Sequence, residues 1–181
     1  ILILLTIFVI PSKTLELNKS FSKNLSLRGQ LHDLFKIYQD LSFWRIAVVT
    51  LLHGGVFLSY QTLWMGPWLA DVAGYNRTEV ANALLFFNIG MFAGVIGFGA
   101  LADKLQTYGI KLISVYSCGV LLSIIVQVLI AGEFVSGATI LCAAFGFFGS
   151  STLLVYALLG QIYPSNISGK VNTAQNMLIF I

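Results

Sequence analysis

The sequence predicts an all-α polytopic transmembrane helix bundle, on three observations. Hydrophobic residues make up 57% of the 181 residues and charged residues only 9%, with a mean hydropathy of +0.88, a balance that a water-soluble core does not need. Four apolar stretches each hold about 20 residues or more, enough to cross roughly 30 Å of hydrocarbon. The charges are gathered into the short segments between those stretches rather than spread over surface faces.

In chain order, 1–10 reads as the end of a spanning helix. It lacks the basic start and small-residue cleavage site of a signal peptide, and Pro11 comes directly after it. Segment 11–42 reads as a linker: Ser12 to Ser26 is rich in Ser, Asn and Lys, and then Leu27, Leu31, Leu34, Phe35, Tyr38 and Leu41 recur at spacings of three and four. That period predicts a short amphipathic helix lying along the inner membrane surface. Residues 43–181 carry the spans: Phe43 to Leu69, Ala81 to Ala102, Leu112 to Gly132, Ala138 to Gln161, and the start of another at Val171. Both ends of the chain look cut within helices, so the expectation is a partial chain of a longer protein.

Alternate loops agree in charge. Lys13, Lys19, Lys23, Arg28, Lys36 and Arg45 precede or open the first full span, Lys104 and Lys111 lie between the second and third, and Lys170 comes after the fourth. Of the ten Lys and Arg residues only Arg77 falls on the opposite side, with Asp71, Glu79 and Glu133. An excess of Lys and Arg marks cytoplasmic loops, so 11–42 and the turns at 103–111 and 163–170 should face inward. In the outer turn, Asn76 and Glu79 three residues on have the spacing of a helix-starting capping box. Thr78 also makes Asn76 a glycosylation acceptor, idle in the bacterial inner (plasma) membrane where this protein is expected.

The net charge of +3 sits in loops and at span ends, which argues against a nucleic-acid partner. Cys118 and Cys142 lie inside spans without a second cysteine or histidine at ligand spacing, so both read as small buried residues, and no metal or cofactor is implied. No Ser/His/Asp, HExxH or CxxC constellation points to an enzyme.

Small residues recur as Gly90-x-x-x-Gly94, with Gly97 and Gly99, and as Gly146 and Gly149. In lipid, where apolar area drives little helix association, such faces permit backbone contact. Gly99-Ala-Leu101-Ala102-Asp103-Lys104 closes the second span, with Gly109 and Lys111 beyond it. Gly99 would admit a close helix neighbour, and Asp103 at a helix end can accept from a neighbouring helix N-terminus or pair with a cation, forming a latch. This stretch resembles the cytoplasmic-loop motif of the major facilitator superfamily, G-x-L-A-D-R-x-G-R-K. Gly99, Leu101, Ala102, Asp103 and Lys104 match, whereas Gly109 stands farther from Asp103 than in the motif, and Gln106, Thr107 and Tyr108 occupy positions where basic residues are common. The resemblance implies that 1–10 is the end of helix six, Phe43 to Gln161 helices seven to ten, and Val171 onward helix eleven, with the N-terminal half of the same transporter and the lipid bilayer as partners.

One span carries a polar face. His53, Phe57, Tyr60, Gln61, Trp64 and Trp68 recur at helical spacing in an otherwise aliphatic helix. Polar groups are costly against lipid, so the stripe should face other helices or an aqueous cavity, and the resemblance implies the cavity. Thr152 and Tyr156 form the matching stripe of the fourth span, Asn88 adds a buried amide in the second, and Gln127 reads as a hydrogen-bonded tie in the third. With these residues, the resemblance implies transport of a small polar solute by alternating access, with His53 the one central group able to exchange a proton. A permease-like sensor that binds without moving its solute is the alternative.

Overall fold

The computed structural model describes residues 27–179. The terminal run 1–10 and the linker as far as residue 26 lie outside the described residues. The described residues fall into two units, one ending at Gln39 and one beginning at Asp40. In the first, α1 (Leu27–Gln39) is the helix expected from the amphipathic spacing. It ends before the last residue of the expected stripe, because Asp40 adopts an extended backbone and its carboxylate accepts from the Ser42 N–H at 2.9 Å. Leu41 therefore opens the next helix instead of closing the surface one.

Among the described residues, four helical spans are long and apolar enough to cross a membrane. The first runs Leu41–Val72, beginning as α2 (Leu41–Ser59). The second is α3 (Arg77–Thr107) and the third α4 (Leu112–Ala131). The fourth, Ala138–Ile162, comprises α5 (Ala138–Gly149), a 3-10 turn (Ser150–Leu153) and α6 (Leu154–Ile162). A last helix, α7 (Ser165–Ile179), starts directly after Pro164, ahead of the expected opening at Val171. Proline fits there because its missing N–H falls where a helix has no partner to offer.

The outer turn folds as its spacing predicts. The Asn76 side chain accepts from the Thr78 and Glu79 N–H groups at 3.0 Å, and the Glu79 carboxylate accepts from the Asn76 N–H at 2.8 Å, a reciprocal cap that fixes where α3 begins.

The most extensive helix pairing is between α3 and α5, and glycine makes it possible. A Cβ on Gly90 would collide with the backbone carbonyl of Ala143, one on Gly94 with that of Phe147, and one on Gly146 with that of Phe87. The small residues thus face each other across the seam, and backbone meets backbone. Gly99 is different: a Cβ there would meet nothing within 4 Å, so among the described residues it admits no close neighbour. Around the outer half of the seam, Met65, Leu69, Phe87, Ile130, Cys142 and Phe145 form a buried cluster.

Elsewhere the molecule wears its large apolar residues outside, as at Leu52, Phe92, Ile96, Leu121 and Ile140, the expected inversion for a chain solvated by lipid. Three expectations of burial are corrected here. Cys118 is exposed while Cys142 is buried, its Sγ 3.4 Å from the Met65 sulfur. Asn88 is exposed, its amide satisfied by the Leu84 carbonyl of its own helix at 2.7 Å. Gln127 likewise bonds Ser123 of its own helix at 3.4 Å instead of tying two helices.

The charge asymmetry of the loops gives a direct test of orientation. In the full-length parent carrying Cys118→Ser and Cys142→Ala, a cysteine at position 77 should react with an impermeant thiol reagent in whole cells and one at position 104 should not. The reverse pattern would invert the topology.

Candidate functional site

The polar stripe of the first span would lie on one face of an unbroken α-helix, but the helix is not unbroken. Tyr60–Trp64 and Trp68–Val72 are π-helical, with Met65 N–H donating to the Tyr60 carbonyl and Ala73 N–H to that of Trp68. Each wide turn absorbs an extra residue and shifts the phase of the residues beyond it. The stripe consequently divides. Gln61 and Phe57 line a cavity of about 300 Å³, whereas Tyr60, Trp64 and Trp68 turn with Pro67 and Asp71 onto a second recess of about 320 Å³.

The first cavity brings together Gln61, Thr152 and Tyr156, three of the residues that the sequence singles out. It is bounded by α2 and the π turn after it, by Met91 and Val95 of α3, by the 3-10 turn with α6, and by Ile179 of α7. Gln61, Ser150, Thr152 and Tyr156 supply its polar atoms, the remaining walls are apolar, and no charged side chain lines it. The volume is at the small end of ligand pockets. The 3-10 turn at Ser150–Leu153 lies in one wall and the π turn at Tyr60–Trp64 in another, so both spans depart from α geometry at this cavity. In membranes irregular backbone is tolerated where it lines a cavity or is buried in protein.

His53 sits behind that wall, 5% exposed. Its Nδ1 is 2.7 Å from the Thr152 hydroxyl, which itself lies 2.9 Å from the Gly149 carbonyl and donates to it. Threonine has a single hydroxyl hydrogen, so both bonds form together only if the imidazole carries its proton on Nδ1 and donates to Thr152. The lone pair of Nε2 is then left buried without a partner. The aromatic rings nearby hold the geometry: Phe57 packs at a tilt against Phe145 at 5.1 Å and Phe87 at 5.8 Å, Tyr60 meets Phe145 edge-on at 5.5 Å, and Gly149 leaves room for the Phe57 ring against the α5 backbone.

Three features go beyond the residues that the sequence singles out. The Tyr156 hydroxyl donates to the side-chain carbonyl of Asn176, joining α6 to α7. Gln175 is fully buried with neither side-chain polar atom paired, and the Asn172 carbonyl oxygen is buried and unpaired too. Amides at 172, 175 and 176 share one helical face, a signal present in the sequence. Met91 is the third: the Gln61 amide approaches its sulfur at 3.9 Å. Asn88 lies one turn before Met91 and does not line the cavity.

At the other end of the same spans, the motif residues separate. Ala102 is buried, Leu101 is 44% exposed, and Asp103 and Lys104 are exposed. The Asp103 side chain makes no hydrogen bond among the described residues; the ties at this end are made elsewhere. The Gln161 amide donates to Gln106 at 2.7 Å, linking α6 to α3. The Tyr163 hydroxyl donates to the Asp40 carboxylate, joining the end of the fourth span to the start of the first. That bond, with the Ser42 N–H, holds the Asp40 carboxyl below the usual carboxylate range, while burial and then Asp40 push the Tyr163 phenol up. The signs agree: the tie is lost only when acid protonates Asp40 or strong base ionises Tyr163, and it stands throughout the neutral range.

Among described residues no group of His, Cys, Asp and Glu is arranged to hold a metal ion. In comparisons with known proteins, the chain is 26% identical over 162 residues to the MFS-type transporter pynF of Aspergillus niger, covering 88% of this chain and 35% of that protein. It thus spans about a third of the length of the curated relative it matches. No protein-family model matches, and no solved structure does. The likeness and the four spans support an integral, multi-pass membrane protein of MFS-like kind. The relative is fungal, and the expectation of a bacterial membrane finds no support.

Proposed function

We propose that this chain forms much of the C-terminal half of a secondary transporter, from the end of helix six to the start of helix eleven, and that it carries part of the path of a small solute moved by alternating access. The observation that carries the reading is the cavity where Gln61, Thr152 and Tyr156 meet with both flanking spans broken from α geometry. Regular helices would seal this level; π and 3-10 turns leave backbone that can change its pairing as helices rock. Buried polar atoms without partners at His53, Asn172 and Gln175 are places where water or a solute's polar groups gain most by binding. The solute that fits is small and carries few hydrogen-bonding groups, since one amide and three hydroxyls interrupt otherwise apolar walls. The named function of the relative in Aspergillus niger supports transport over an enzymatic role.

The test is uptake by the full-length parent in sealed vesicles, scanned against neutral polar solutes, organic acids and amino acids. Gln61→Ala is expected to raise the concentration for half-maximal uptake by about tenfold, the effect of about 1.4 kcal/mol of lost binding. Saturable binding with no flux for any solute would leave a sensor, and unchanged uptake in the variant would remove Gln61 from the path.

A further inference from the structure

A third cavity, away from the solute path, lies where α3 and α4 approach the loop that joins them. Gly97 and Leu101 of α3 form one wall, Ser114 and Cys118 of α4 the other, and Phe147 and Phe148 of α5 contribute to the lining, enclosing about 390 Å³. The floor is rigid: the two rings meet at right angles 5.3 Å apart, and Phe98 closes on Phe147 at 5.5 Å. Glycine keeps the cleft deep, since a Cβ on Gly97 would already touch the Phe147 ring at 3.4 Å. The lining is apolar but for the Ser114 hydroxyl and the Cys118 thiol, and Leu101 and Cys118 remain exposed.

Both walls run into a lysine. Lys104 lies three residues beyond Leu101 and seven beyond Gly97, a spacing that keeps it on that wall's face, and Lys111 is the N-cap residue of α4, three residues before Ser114. Both lysines are exposed. From Gly97 to Leu105 the α3 wall is about 12 Å long at 1.5 Å per residue, close to the depth of one leaflet's hydrocarbon, about 15 Å. An apolar groove one leaflet deep with two cations at its mouth matches a single chemistry.

We propose that this groove binds one phospholipid of the leaflet it faces, an acyl chain against Phe147 and Phe148 and an anionic headgroup on Lys104 and Lys111. Basic clusters at the ends of spans recognise anionic headgroups through such pairing. The assignment rests on the inward orientation of the 103–111 turn, which thiol labelling measures separately, and not on the solute path.

The experiment reconstitutes the full-length parent in phosphatidylcholine vesicles with a trace of phospholipid carrying a photoactivatable acyl chain, bearing either a phosphatidylserine or a phosphatidylcholine head. After irradiation, peptides containing Cys118 or Phe147 should carry the label, roughly tenfold more from the serine lipid. Lys104→Gln with Lys111→Gln should bring the serine lipid down to the level of the choline lipid, and the double arginine variant should restore it. Gly97→Leu should remove label from these peptides with either head while leaving label elsewhere on the spans unchanged. Equal labelling by both heads in the unmodified protein, or labelling that leaves the groove peptides untouched because other helices of the parent cover them, would overturn the proposal.

Discussion

Leucine in place of Gly90 should leave almost no correctly folded protein in the membrane. A Cβ alone at this position would meet the Ala143 carbonyl oxygen, carbonyl carbon and Cα, and backbone cannot turn aside as a side-chain tip can. Accommodating even a methyl group means separating α3 from α5, the most extensive helix pairing among the described residues. Overpacking in well-fitted interiors costs about 1–3 kcal/mol and sometimes more, and a seam that depends on close contact in lipid has little other attraction to replace it. The measurement is the fraction of full-length protein that stays monodisperse in mild detergent as temperature rises. Gly66→Ala and Gly99→Ala serve as controls, because nothing lies within 4 Å of a Cβ at either place. Native-like stability of Gly90→Leu would show that the seam is looser than its geometry.

His53→Gln is the second large effect expected. The glutamine amide can still donate to the Thr152 hydroxyl as Nδ1 does, yet it has no titratable nitrogen to replace Nε2. If the lone pair of Nε2 takes the coupled proton, a transporter moving one proton per solute accumulates up to about tenfold per unit of pH difference, since one unit is about 1.36 kcal/mol. The variant should lose that accumulation while exchange of labelled for unlabelled solute continues. No charged side chain lines the adjoining cavity, so no second group among its walls is placed to take over. Thr152→Val separates the bond from the proton: it removes the acceptor for Nδ1–H but leaves the ring able to titrate, and should weaken the pH gradient's effect without abolishing it. Accumulation unchanged in His53→Gln would make the histidine a tie between α2 and the 3-10 turn and nothing more.

The spans themselves are legible in the sequence because length and hydropathy are the properties a bilayer demands of a helix; the four expected stretches are all helical, extended by a few residues at most of their ends. The reciprocal cap at Asn76 and Glu79 is equally plain, being a local rule with no competitor in a polar turn. The facing of helices is harder to read. In water an apolar face marks the core, but in lipid the outer face is apolar as well, so Cys118 and Asn88 read as buried and are exposed. The division of the stripe at Tyr60 and Trp64 is hidden for a different reason. A π turn alters the phase by one residue without requiring a special composition, and only Gly66 and Pro67 between the two wide turns hint that the helix is strained there. Spacing alone assigns Asp40 to the surface helix, whereas its role as a cap with a long-range partner in Tyr163 depends on residues far away in sequence.

The spans differ greatly in length, 32 and 31 residues for the first two, 20 for α4 and 25 for the fourth. At about 1.5 Å per residue α4 is only about 30 Å long, with nothing to spare against an average bilayer, whereas the first two can lean or project to absorb a change in thickness. Thickening the membrane therefore acts first on α4, whose ends, Lys111 and Gly132, would be drawn toward hydrocarbon. Sterol-rich membranes are a few Å thicker than those of the endoplasmic reticulum, so α4, the shortest of the described spans, is best matched where the bilayer is thin.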